Sequence, residues 1–237
     1  MDRNDRYVRL YPVPFRDLEN SRRFKKYQWV RLKVQQRNSD SRPESYAPNY
    51  DTLEVISEPL STDDAWRERR EIVLSRVAES LCDIQDAQKR DGASLGIFKP
   101  AEIIDFDWEP DEQQEWTDTE QARLAQQDLF MTREKKLLEK IPYTFRYRFR
   151  CADCRVNEPH HMKVVDWELA QMYRKLRRES ESIDDCLTKI RDKWLVQICD
   201  SQKYDTYFFV GNMRQFPQSF LVLGVFWPPR EVQMRLF

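Results

Sequence analysis

The sequence predicts an α+β fold: short N-terminal strands, a long helix, a polar connector, and a C-terminal mixed sheet with two helices. Three observations carry this. Tyr143, Phe145, Tyr147 and Phe149 alternate with Thr144, Arg146, Arg148 and Arg150, the period-two pattern of a half-buried strand. Apolar residues recur at helical spacing before residue 91 and again after residue 166. Prolines and polar clusters interrupt the rest. The 237 residues suffice for one large domain or two small ones, with a core that needs no disulfides.

In chain order, residues 6–59 alternate apolar and charged side chains (Tyr7, Arg9, then Tyr27, Trp29, Arg31, Lys33). Pro12, Pro14, Pro43 and Pro48, which cannot donate to a ladder, break this segment into short strands and loops. Ser61-Thr62-Asp63-Asp64 supplies a helix N-cap with early acidic residues. Trp66, Val73, Val77, Leu81 and Ile84 then continue to Asp91-Gly92, predicting one helix of about eight turns at most. Asp105, Asp107, Glu109, Asp111, Glu112 and Glu115 open an acidic, then Gln-rich, then Lys-rich stretch that reads as a connector. Beyond the arginine strand, residues 166–178 and 183–198 read as helices. Residues 207–210 and 220–226 read as strands of a hairpin with a long turn through Gly211-Asn212 and Pro217. The expected organisation is an N-terminal α+β region over 1–98, a connector over 99–140 and a C-terminal α+β domain over 141–237.

With 40 Lys+Arg against 41 Asp+Glu, the net charge of -1 provides no global basic field for nucleic acid. A mean hydropathy of -0.83, and no apolar run near the ~18 residues of a span, predict no membrane segment. The start, Met1-Asp2-Arg3-Asn4-Asp5-Arg6, has no secretory pattern, so a cytoplasmic protein is expected. Four glycines, none in a Gly-x-Gly pattern, leave no P-loop, dinucleotide fingerprint or nucleophile elbow.

Of five cysteines, Cys82, Cys186 and Cys199 fall inside helical patterns and read as small buried hydrophobes. Cys151-Ala152-Asp153-Cys154 differs. It follows a strand, resembles the tight turn of a zinc knuckle, and is followed by His160 and His161, the two histidines of the chain. Cys151, Cys154, His160 and His161 are therefore candidate ligands of a tetrahedral zinc. Adjacent histidines diverge on an extended chain, which favours one histidine plus an outside ligand. The competing reading is a strand end with ordinary reduced cysteines. Arg146, Arg148, Arg150 and Arg155 are candidate phosphate contacts, or the solvated face of a sheet. Asp166, Glu168 and Asp205, with His160 or Lys163, could gather a divalent ion for phosphodiester cleavage; Asp166-Trp167-Glu168 equally reads as the acidic first turn of a helix.

Gln126-Gln127-Asp128-Leu129-Phe130 lies in the connector, and Gln233-Met234-Arg235-Leu236-Phe237 ends the chain. Both are Gln-x-x-Leu-Phe. They resemble the pentapeptide by which bacterial polymerases, mismatch-repair proteins and other replication factors dock on the DNA sliding clamp. The resemblance implies that Gln126 and Gln233 orient at the rim of a pocket while Leu129, Phe130, Leu236 and Phe237 fill apolar subsites. Two such anchors are worth about 1.5 to 3 kcal/mol each. The alternative places these residues in the core. Residues 10–16 and 208–212 also look like a bacterial family of uncharacterised proteins, which implies no activity. The expected function is an accessory replication, repair or defence protein that docks on the sliding clamp, with DNA a candidate second partner. The alternative is a metal-dependent nuclease or a structural subunit of a larger anti-phage or nucleoprotein assembly.

Overall fold

A computed structural model of the chain describes residues 1–13, 18, 23–37, 39–121 and 139–231. The fold is α+β. Near the N-terminus β1 (Arg9–Leu10), β2 (Val30–Gln36) and β3 (Ser45–Val55) form one sheet in the order β1-β3-β2. Strand β3 runs parallel to β1 and antiparallel to β2.

The single long helix expected before Gly92 is two helices separated by a strand. Helix α1 (Asp63–Val73) has Asp64, Ala65 and Trp66 at φ of 49°, 49° and 64°, so its regular part is only 67–73. A 3-10 turn, Leu74–Arg76, and the short β4 (Val77–Ala78) follow, then α2 (Leu81–Asp91). The cause is a second N-cap: Ser80 Oγ accepts the backbone N–H of Asp83 at 3.1 Å and starts a new helix. Gly92, at φ 79°, closes it. Two helices in series carry the same apolar spacing as one, so periodicity alone does not reveal the break.

Strand β5 (Leu95–Phe98) pairs with β4 and leads into β6 (Pro100–Pro110), which is the acidic stretch read from composition as the start of a connector. Its carboxylates gain a partner strand: β6 pairs antiparallel with β7 (Tyr143–Cys151), placing Asp107 opposite Arg146 and Asp105 opposite Arg148. Opposite charges across neighbouring strands turn a composition typical of linkers into a ladder. Strand β8 (His160–Lys163) completes the sheet in the order β6-β7-β8. Helices α3 (Trp167–Glu179) and α4 (Ile183–Arg191) fall where expected, although the second continues as a wider π-turn, Asp192–Gln197. The closing hairpin, β9 (Tyr207–Met213) and β10 (Phe216–Phe226), has a two-residue turn at Arg214 and Gln215. Gly211 and Asn212 are strand residues, and the pairing has two irregularities, between Phe216 and Phe220 and between Val222 and Gly224. These strands join β5 and β4 in the order β10-β9-β5-β4, and a Val164–Val222 bridge links them to the β6-β7-β8 sheet.

The core lies between those two sheets and the helices. Phe98, Phe106, Phe145, Tyr147, Phe149 and Phe208 are buried there with Leu169 and Tyr173 of α3 and Leu187 and Ile190 of α4. The aromatic face of β7 thus points inward as its alternation predicts, and the Tyr147 hydroxyl, buried with it, donates to the Trp194 carbonyl at 2.6 Å. No helix among the described residues is long and apolar enough to cross a membrane.

Candidate metal centre

Strand β7 ends at Cys151, and the chain turns through Ala152 and Asp153 to Cys154. Asp153 takes φ 46°, a left-handed conformation that Asp tolerates better than most residues. The chain then returns as β8, whose first residue, His160, stands opposite Phe149. The two rings stack at 5.2 Å, which fixes the plane of the imidazole. The fourth member comes from elsewhere. Cys82 is the second residue of α2, in the first turn, where unpaired backbone N–H groups favour a negatively charged neighbour.

These elements bring four ligand atoms together. Cys82 Sγ lies 3.8 Å from Cys151 Sγ, and His160 Nε2 lies 3.4 Å from Cys151 Sγ and 3.2 Å from Cys154 Sγ. All four lie within 4.8 Å of one another, a group that could hold a metal ion. A mononuclear tetrahedral site with metal–sulfur bonds of about 2.3 Å has a sulfur–sulfur edge of about 3.8 Å, which the Cys82–Cys151 spacing matches. Cys82 and Cys151 are buried, while Cys154 and His160 are half-buried. Burial pushes the Cys151 thiol up to about 12, a cost that a bound cation would remove. Burial also raises the Cys154 thiol, but the Val156 N–H and the neighbouring thiols outweigh it and bring that group below its usual value. Desolvation lowers the His160 imidazole from its usual value, which favours the neutral form that ligates metals.

Of the candidates read from sequence, Cys151, Cys154 and His160 belong to this group and His161 does not. On an extended strand its side chain points to the opposite face, where Nε2 meets Asp107 at 2.8 Å. Cys82, read as a packed hydrophobe, is the fourth member of the group, in the position expected of an outside ligand. The signal that locates it is Ser80 followed by Asp83, which marks a helix start and so puts Cys82 at a helix end rather than inside one.

Three of the four candidate arginines have acceptors within the protein. Arg146 bonds Glu109, Arg150 donates to the Asn157 carbonyl at 2.8 Å, and Arg155 binds both Asp83, at 2.7 Å, and Asp86. Burial pushes the Asp105 carboxyl up, but the Arg191 hydrogen bond at 2.7 Å and the Arg148 charge outweigh it and hold the group below the usual range. The carboxylates considered for cleavage are each engaged by other groups. Asp166, buried, caps α3 by accepting the Glu168 N–H at 2.6 Å; Glu168 pairs with Lys26; Asp205 is shared by Arg70, Lys99 and Arg230. Lys163 donates to Thr144 Oγ1. Among the described residues, the Cys/His cluster is the one group with metal-ligating spacing. Gln126, Leu129, Phe130, Gln233, Leu236 and Phe237 lie outside the described residues.

Residues 77–237 match a family model described as "Domain of unknown function (DUF8757)". The chain belongs to the DUF8757 family. Residues 1–75 match a second model, "Domain of unknown function (DUF8758)". All four members of the cluster lie in the DUF8757 region, whose start coincides with β4; the β1-β3-β2 sheet and α1 lie in the other. Neither the curated proteins nor the solved structures include a match to the chain.

Proposed function

We propose that Cys82, Cys151, Cys154 and His160 bind one zinc ion, and that the body so fastened carries docking peptides for a bacterial DNA sliding clamp. Three thiolates and one imidazole form a donor set suited to structural zinc, with no position left for substrate. The ion would join α2 to the β7–β8 hairpin, two elements far apart in the chain. It would therefore stabilise the folded state rather than perform chemistry.

The observation that supports docking is how the segments flanking the two pentapeptides are tethered. Lys140 donates to the carbonyls of Gln113 and Glu115 and lies 3.9 Å from Glu120, while Arg174 holds the Glu139 carbonyl. The described residues nearest the first pentapeptide, up to Gln121 before it and from Glu139 after it, are thus held to the body close to one another. Before the second copy, Arg230 donates its N–H to the Lys203 carbonyl, and Arg70 binds the Pro229 carbonyl and Asp205. Anchored flanking residues are already ordered before a partner binds, so they add little to the entropic cost of docking. Two copies add avidity where both reach the same clamp ring.

The test is calorimetric titration of a bacterial clamp. Wild type should bind with micromolar affinity, and Leu129→Ala with Phe130→Ala, or Leu236→Ala with Phe237→Ala, should weaken binding at least tenfold with an unchanged melting temperature. Absence of binding by wild type, or unfolding of the double variants, would refute docking. Elemental analysis should find about one zinc per chain, and none would refute the metal assignment.

A further inference from the structure

Three of the four metal-ligating groups lie on one hairpin, whereas Cys82 arrives from 69 residues upstream of Cys151 on α2. The affinity of such a site depends on how well the separate element is held in place before the ion binds. Arg155, the residue after Cys154, spans that junction. One arm of its guanidinium donates to Asp83, the neighbour of Cys82, at 2.7 Å, and the other donates to Asp86, three residues further along the helix. Asp83 is itself held in place: its second carboxylate oxygen accepts the Ser80 hydroxyl at 2.6 Å, and its N–H donates back to Ser80. A planar fork across two carboxylates fixes a direction as well as a distance, which a lysine ammonium does not.

Resting on the zinc reading above, we propose that Arg155 is the positioning residue of the metal centre, clamping the start of α2 against the Cys151–Cys154 turn so that Cys82 meets the other three donors. It touches no metal and alters no donor atom. Its effect is on affinity, through the preorganisation of the site. The side chains are partly exposed (54% for Arg155, 39% for Asp83, 42% for Asp86), which places the effect at the low end of the range for groups that orient metal ligands.

The experiment measures zinc affinity by competition with a chromophoric chelator on the full chain, with cobalt(II) absorption reporting the donor set. Arg155→Gln should weaken zinc about tenfold, at the low end of the span for such groups, while the cobalt spectrum of the loaded protein stays that of wild type. Arg155→Lys should fall between the two, because a point charge engages one carboxylate at a time. Asp86→Asn should weaken zinc in the same direction, and the double variant should lose less than the sum of the two single losses, because both remove one contact. High salt should narrow the gap between wild type and Arg155→Gln. If wild type binds zinc and Arg155→Gln binds it equally well, or if the Arg155 and Asp86 effects add fully, the positioning role is overturned while the metal site stands. If wild type binds no zinc, the site and the role fall together.

Discussion

The two faces of the β7–β8 hairpin are built from similar material and resolve it differently. On the outer face the charges are balanced within the protein: Arg146 meets Glu109, His161 meets Asp107, and Arg148 stands opposite Asp105 in the strand register. At the hairpin's end three thiols and an imidazole converge on one another, although none is a good hydrogen-bond partner for the rest. Charges satisfied within the chain describe a surface. Soft donors gathered within 4.8 Å of one another, two of them buried, describe a group that could hold a metal ion. The contrast separates two sequence features that look equally functional, an arginine stripe and a Cys/His cluster.

The sharpest way to break this contrast is to remove the ion. Chelation, or Cys82→Ser, should lower the melting temperature by well over ten degrees, since a structural zinc contributes apparent binding energy on the order of 10 kcal/mol that is also folding energy. Thermal melts with and without chelator check this, and superimposable curves would reduce the cluster to ordinary packed cysteines. Next in size is Phe149→Ala, which takes away a fully buried ring and the surface on which His160 stacks. It should cost about 3 to 5 kcal/mol in urea unfolding and weaken zinc as well. A loss of stability without a loss of affinity would mean that the stacking does not orient the imidazole.

The outer face should respond far less. Because the folded-state pKa of Asp105 is depressed, its stabilisation is present above the unfolded value near about 4 and fades as pH falls through the folded value. Asp105→Asn should therefore cost under about 1 kcal/mol at pH 7, discounted for solvent screening, and progressively less as the pH falls below about 4. A cost that does not shrink as the pH falls would assign the residue a role other than its charge. Smallest of all, Arg146→Gln with Arg148→Gln should leave any salt dependence of DNA binding within about one phosphate contact of wild type, against about two if both touch phosphate. A flattening by two units would make this face a nucleic-acid surface despite its carboxylates.

Much of the fold is legible in the sequence where one physical signal acts alone. The aromatic alternation of β7 fixes both strand and burial, and the apolar spacing around Leu169, Tyr173, Leu187 and Ile190 fixes α3 and α4. What escapes are features decided by a partner distant in the chain. The acids of β6 look like a linker until the arginines of β7 pair with them. The same holds at the metal centre: Cys151, Cys154 and His160 are readable as a local group, but Cys82 is recruited by tertiary packing. Its one local clue, the Ser80 cap, is masked by apolar spacing that runs across two helices.

The central claim, that Cys82 completes a mononuclear site with Cys151, Cys154 and His160, is tested most directly by the absorption of the cobalt(II)-loaded protein. Wild type should give the intense tetrahedral bands and sulfur-to-cobalt charge transfer of three thiolates at one cobalt per chain. Cys82→Ser should reduce the charge-transfer intensity to that of two thiolates, while His161→Ala leaves the spectrum unchanged. Equal charge transfer in wild type and Cys82→Ser, or a spectrum altered by His161→Ala, would contradict the account.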